Sequence, residues 1–231
     1  MPSVANTLID SLPRIARNRL LAICEPIELV AGRTVSGSDA PTRHVYFPTG
    51  SLVSLTTSTR DTPVLEVAMV GNEGMVGTQV TLGIFSVPLH ALVRGAGTAW
   101  RVAAGPFNQE LVGSRALQRS LKRYMHVTIL QLTSDARCLH FHPIDQRLAR
   151  WLLMTHDRTH ANSFHVTQEL IAHLMGVRRV GITKAAGVLQ RRAIIHYVRG
   201  ELTIVDRSAL ESEACSCYAL DRETYTRFLS H

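Results

Sequence analysis

No apolar run in the 231 residues is longer than five, Leu20–Cys24, against the roughly twenty that a membrane-spanning helix requires. Asp10, Arg14, Arg17 and Arg19 interrupt the N-terminal stretch, so no signal-peptide core forms there and a cytoplasmic location with no membrane partner is expected. Four cysteines are too few for a disulfide scaffold, and reduced thiols are expected. No glycine-rich nucleotide loop, nucleophile elbow or metal triad at a known spacing occurs, which argues against an enzyme and against a bound cofactor. Low complexity is absent too: 45% of the residues are hydrophobic and 19% charged, enough to bury a core.

Charge is unevenly placed. Residues 1–113 hold 8 Lys/Arg and 8 Asp/Glu, whereas residues 114–231 hold 17 and 10, so the net +7 lies entirely in the second half. That asymmetry suits a chain in which one half meets a polyanion and the other has a different task.

From about residue 26 to 105, short apolar segments alternate with glycine- and proline-rich turns. Ile27–Val30, His44–Phe47, Ser51–Thr56, Val64–Val70, Gly74–Val80, Ala91–Val93 and Thr98–Val102 read as strands of an antiparallel barrel or roll. Arg14–Ile23 reads as a short helix before it. Pro106–Leu111 reads as another, and Ser114 is a suitable N-cap after Gly113. From Ser114 to about Arg137 there is neither proline nor glycine. Leu117, Leu121, Tyr124, Met125, Thr128 and Leu132 form a stripe at helical spacing, which can either pair with a second copy in a homodimer or pack on the chain's own barrel. Pro143–Arg158 reads as the next helix. The spacing therefore predicts an α+β chain in three parts: residues 1–113, a long helix over 114–138, and residues 139–231.

The segment Val166–Arg192 carries most of the functional signal. Thr167 is an N-cap, Leu170, Ile171 and Leu174 follow at helical spacing, and Gly176 ends the helix. A second helix opens at Val177 with Ile182, Ala185, Ala186 and Leu189 on its inner side. Ala172, four positions before Gly176, lets the two helices approach closely. This is a helix-turn-helix pattern, and Ala193–Tyr197 with Glu201–Val205 add a hairpin turning at Arg199–Gly200. Such an arrangement presents Thr167, Arg178, Arg179, Val180, Lys184, Gln190, Arg191 and Arg199 to double-stranded DNA. Arginine can pair in bidentate fashion with guanine, while lysine and the trailing arginines hold phosphates.

With its roll, long helix and winged helix-turn-helix, the chain resembles the cyclic-AMP receptor protein/fumarate-nitrate regulator (CRP/FNR) family of bacterial transcription factors. The most specific segments are Val166–Leu189, HVYFPTGSLVSL (His44–Leu55) and GNEGMVG (Gly71–Gly77). The resemblance implies a cyclic-nucleotide-binding-like roll, a symmetric dimer joined through the long helix, a near-palindromic promoter site and contact with RNA polymerase. It also places an effector pocket near Thr78, His90, Ala91 and Arg94. There the sequence departs from the cyclic-nucleotide-binding members. Thr78 stands where they carry glutamate, and His90 and Ala91 stand at about the places of the Arg-Ser pair that holds the cyclic phosphate, so cyclic-AMP gating by the usual contacts is not expected. Val180 replaces a glutamate common in relatives, which points to an unusual operator. The Cys215/Cys217 pair is expected to pack as small apolar side chains and His140, His142, His156 and His160 to be solvated, with no metal. The remaining reading is a ligand-binding signalling module whose C-terminal part mediates protein contacts.

Overall fold

The computed structural model describes residues 6–37 and 40–229. Two short helices, α1 (Thr7–Asp10) and α2 (Arg14–Leu21), precede seven strands: β1 (Glu25–Leu29), β2 (Thr34–Ser36), β3 (His44–Pro48), β4 (Leu52–Thr59), β5 (Thr62–Val70), β6 (His90–Gly95) and β7 (Gly97–Ala103). They form two antiparallel sheets, ordered β1-β7-β3 and β2-β6-β4-β5. Alternation turns one face of each strand inward, so that Leu29, Tyr46, Val53, Val70, Val76, Ala91, Val93 and Ala99 fill the interior of a roll.

One expected strand is not formed. Within Gly74–Val80 only Val76 pairs, through an isolated bridge to Tyr46. Gly77 then takes φ +91°, and Thr78–Leu82 coils into a 3₁₀ turn closed by Gly83 at φ +73°. Both conformations lie in the left-handed region and end extended backbone.

Helix α3 (Ala104–Gly113) leads into α4 (Arg115–Phe141), whose N-cap Ser114 accepts the Leu117 N–H. The expected stripe along α4 faces inward. Leu117, Leu121 and Tyr124 join Phe47, Val102 and Phe107 in a core beneath the roll. Met125 Sδ accepts from Thr81 Oγ1, and Thr128 returns its hydroxyl to the Tyr124 carbonyl. Of the six residues expected in a dimer seam, Leu132 alone is exposed. The reason is that the roll needs a helical lid, and the leucines at its own end of α4 supply one. An outward apolar row lies further round the helix at Ile129, Leu132, Ala136 and Leu139, the first 61% exposed.

Helix α5 (Ile144–Thr159) is followed by β8 (Ser163–His165), α6 (Gln168–Met175), α7 (Arg179–Arg191), β9 (Ile195–Val198) and β10 (Glu201–Ile204). The three strands form a small sheet ordered β8-β10-β9. Helices α8 (Arg207–Glu213) and α9 (Ser216–Leu229) follow, and α9 folds back along α4. Leu52 and Met69, on the outer face of the roll, belong to the same hydrophobic core as α5, α6 and α7. None of the described helices is long and apolar enough to cross a membrane.

Candidate nucleic-acid interface

The Thr167 hydroxyl accepts the Leu170 N–H, 3.1 Å away, and fixes the start of α6. Gly176 ends that helix at φ +63°, and the Val177 N–H reaches back to the Ala172 carbonyl at 3.0 Å. Val177 therefore belongs to the turn. Arg178 is the N-cap of α7 and Arg179 its first residue. Ile182, Ala185, Ala186 and Leu189 bury one side of α7 against α5 and α6.

The opposite side points outward. Val180, Thr183, Lys184 and Arg191 lie on it, with Val180 58% exposed, while Arg178 and Arg179 are exposed at the start of the helix and Gln190 near its end. Among the described residues no carboxylate pairs with Arg178, Arg179, Lys184, Arg191 or Arg199, although Arg192 is held by Glu213 at 2.5 Å. Five cations without counter-ions on one surface suit a polyanion better than a self-contained salt-bridged surface. Residues 199–200 form the two-residue turn between β9 and β10, with φ +52° and +86°, the geometry of a type I′ hairpin. Arg199 thus stands at the exposed tip of a wing.

Two expected contacts have another task. The side-chain oxygen of Gln190 accepts the Tyr197 N–H at 3.0 Å, tying α7 to the wing. Thr167 caps a helix as described. Thr183, which sequence reasoning passed over, donates to Gln168 Oε1 at 2.7 Å and locks the two helices together on the outward side. The signal was present: Thr183 lies one turn after Arg179, on the same face.

The effector candidates do not converge. Along β6, Ala91 and Val93 point into the roll, whereas Arg94 points out of it. Arg94 pairs with Glu66 at 3.1 Å, approaches Thr155 Oγ1 at 3.4 Å and lies 4.2 Å over the Trp151 ring. Trp151 Nε1 donates to the same carboxylate at 2.8 Å, as does the Ser54 hydroxyl. Burial pushes the Arg94 guanidinium down from its ordinary value and Glu66 opposes that shift, but an arginine stays charged at any working pH. Arg94 is therefore a strut between roll and α5, not an effector ligand. Thr78 begins the 3₁₀ turn, and Ala91 is packed among apolar side chains.

The histidines have separate partners. His156 contacts Asn162 at 2.8 Å and Arg207 at 2.5 Å, while His160 contacts Asn72 at 3.1 Å. His142 differs. It meets Cys138, Cys215 and Cys217, with all four donor atoms within 4.8 Å of one another. Cys215 and Cys217 are buried and pack with Cys138 in a small cluster of their own, as expected of small apolar side chains, but His142 joins them, a grouping hidden by the 77-position separation of Cys138 and Cys215.

Residues 146–213, spanning α5 to α8, match the Crp-like helix-turn-helix domain model. The fold of the chain is the one seen in solved CRP/FNR-family regulators. Its overall fold matches the c-di-GMP-responsive global regulator of Xanthomonas campestris with a TM-score of 0.67 at 16% identity, over 83% of this chain and 99% of that one. A CRP/FNR-family transcriptional regulator from Thermus thermophilus matches with a TM-score of 0.66 at 18% identity, over 82% and 98%. FixK2 from Bradyrhizobium japonicum matches with 0.67 at 14%, over 84% and 98%. No curated protein sequence matches the chain at a significant level. At such identities the likeness is one of fold, and the Crp-like domain's side chains must supply the argument for function.

Proposed function

We propose that this CRP/FNR-type chain is a sequence-specific, DNA-binding transcription regulator that acts as a symmetric dimer. The observation that carries the reading is the outward face of α7, where Arg178 and Arg179 open the helix with neither guanidinium held by a carboxylate. Residues at the start of such a helix reach base edges in the major groove. Lys184, Arg191 and the wing-tip Arg199 flank them and would hold phosphates. In a dimer the two α7 helices must lie roughly 34 Å apart to enter successive grooves of a near-palindromic site. The outward row on α4 offers a seam for that pairing.

Cyclic AMP by the usual contacts is not part of this proposal. A phosphate placed against the inner face of β6 would meet Ala91 and Val93, and a buried charge without donors is strongly disfavoured. A calorimetric titration should give no saturable micromolar binding of cyclic AMP.

The test is a gel-shift selection from a genomic fragment pool at several salt concentrations. Enrichment of a defined, near-palindromic sequence with steep salt dependence is expected. The double variant Arg178→Ala/Arg179→Ala should lose about 1–3 kcal/mol per guanidinium and relax base preference. Weak binding with no preferred sequence and little salt dependence would refute the reading and favour a module whose C-terminal part contacts proteins.

A further inference from the structure

Cys138 lies in the last turn of α4, His142 is that helix's C-cap, Cys215 lies between α8 and α9, and Cys217 stands in the first turn of α9. Cys138 Sγ and Cys215 Sγ are 3.5 Å apart, and Cys217 Sγ is 3.6 Å from His142 Nδ1. All three thiols are buried, and His142 is partly exposed at the rim. Tetrahedral zinc has Zn–S bonds of about 2.3 Å and Zn–N bonds of about 2.0–2.1 Å, so neighbouring ligand atoms stand about 3.5–3.8 Å apart. The two separations fit that geometry. They are too short for thiolates set at the corners of a multi-iron cluster, each on its own iron.

We propose that Cys138, His142, Cys215 and Cys217 form a closed, four-coordinate site for a single borderline-soft divalent metal ion, with Zn²⁺ the best match. Three sulfurs and one imidazole are a common donor set for structural zinc and a poor one for magnesium or calcium. Binding would release the three thiol protons to solvent and take His142 neutral through Nδ1, leaving a net charge of −1 at the site. Arg137 Nη2, 3.7 Å from Cys217 Sγ, is placed to balance that charge. A Cys138–Cys215 disulfide is the competing chemistry, but it would use two of the four groups and leave Cys217 and His142 without a role. The ion would clip the end of α4 to the turn that follows the helix-turn-helix domain, closing a loop of 77 residues.

The test uses the purified, reduced full chain and does not involve DNA, so it stands or falls apart from the proposal above. After incubation with Zn²⁺ and desalting, elemental analysis should find about one equivalent per chain. Stripping with a chelator and titrating with Co²⁺ should produce thiolate-to-cobalt charge transfer and tetrahedral ligand-field bands that saturate at one equivalent. Cys217→Ser and His142→Ala should each weaken Co²⁺ affinity at least tenfold, while Cys24→Ser, remote from the site, should leave it unchanged. A native chain that gives no charge-transfer band, or whose band is unaltered in both variants, would overturn the proposal. So would mass spectrometry showing a Cys138–Cys215 disulfide that persists in place of metal. The native-chain titration decides the matter even where a buried substitution prevents folding.

Discussion

Gly181 and Gly187 sit on the same DNA-facing helix under different constraints. A side chain at Gly181 would meet Ile144 Cδ1 of α5 at 2.8 Å, so this glycine lets α5 approach α7. At Gly187 the nearest atom would be Arg191 Nη1 at 3.5 Å, an ordinary contact, and the packing gives no reason for glycine there. Glycine inside a helix costs about 0.5–1 kcal/mol relative to alanine. Gly187→Ala should therefore raise unfolding stability in urea by about that amount, while Gly181→Ala should gain less because Ile144 must rotate. The cations of α7 were legible in the sequence because helical spacing puts Lys184 and Arg191 opposite the buried Ile182 and Leu189, and because Arg178 and Arg179 follow the Gly176 turn at the open start of the helix. The role of Gln190 was not, since its partner Tyr197 is chosen by where the wing lands. Nor was the cysteine–histidine cluster, since no local pattern says that the end of α4 meets the start of α9.

Among the elements, β4–β6 and α5 are joined by an unusually polar seam. Glu66 accepts from Arg94, Trp151 and Ser54 at once, and both charged side chains are nearly inaccessible, at 5% and 6%. Removing one partner of a buried pair leaves the other charge without compensation, at about 3–5 kcal/mol. Glu66→Ala should lower stability by that order, read as a fall in the urea midpoint, and should lower it far more than Glu28→Ala on the exposed edge strand β1. A second buried pair, Arg158 with Glu73 at 2.7 Å, joins α5 to the loop after β5. Long, periodic elements were readable: α4, α5, the two helices of the turn and most roll strands fall within a few residues of their expected spans. Three-residue strands such as β2 and β8 carry too little periodicity to be seen. The segment after Met75 was misread because valines and threonines favour a strand, yet the positive φ of Gly77 overrides them.

For the whole molecule, the outward row on α4 sets the expected assembly. Ile129, Leu132, Ala136 and Leu139 recur at alternating three- and four-residue steps, the spacing of a coiled-coil seam. Because Ile129 and Leu132 are exposed in the single chain, charging them should leave its fold intact. Ile129→Asp with Leu132→Asp should convert a dimer to a monomer in light scattering while leaving the far-UV circular dichroism unchanged, and cooperative promoter binding should go with it. The inward stripe should behave oppositely, with Leu121→Asp unfolding the roll. The return of α9 has a further consequence for biosynthesis. Tyr225, Phe228 and Leu229 close the same cluster as Leu8, Leu20 and Phe107, so during synthesis the segment that holds Leu8 and Leu20 lacks this covering until α9 has emerged. The nascent roll should meanwhile attract chaperones that bind exposed apolar surface.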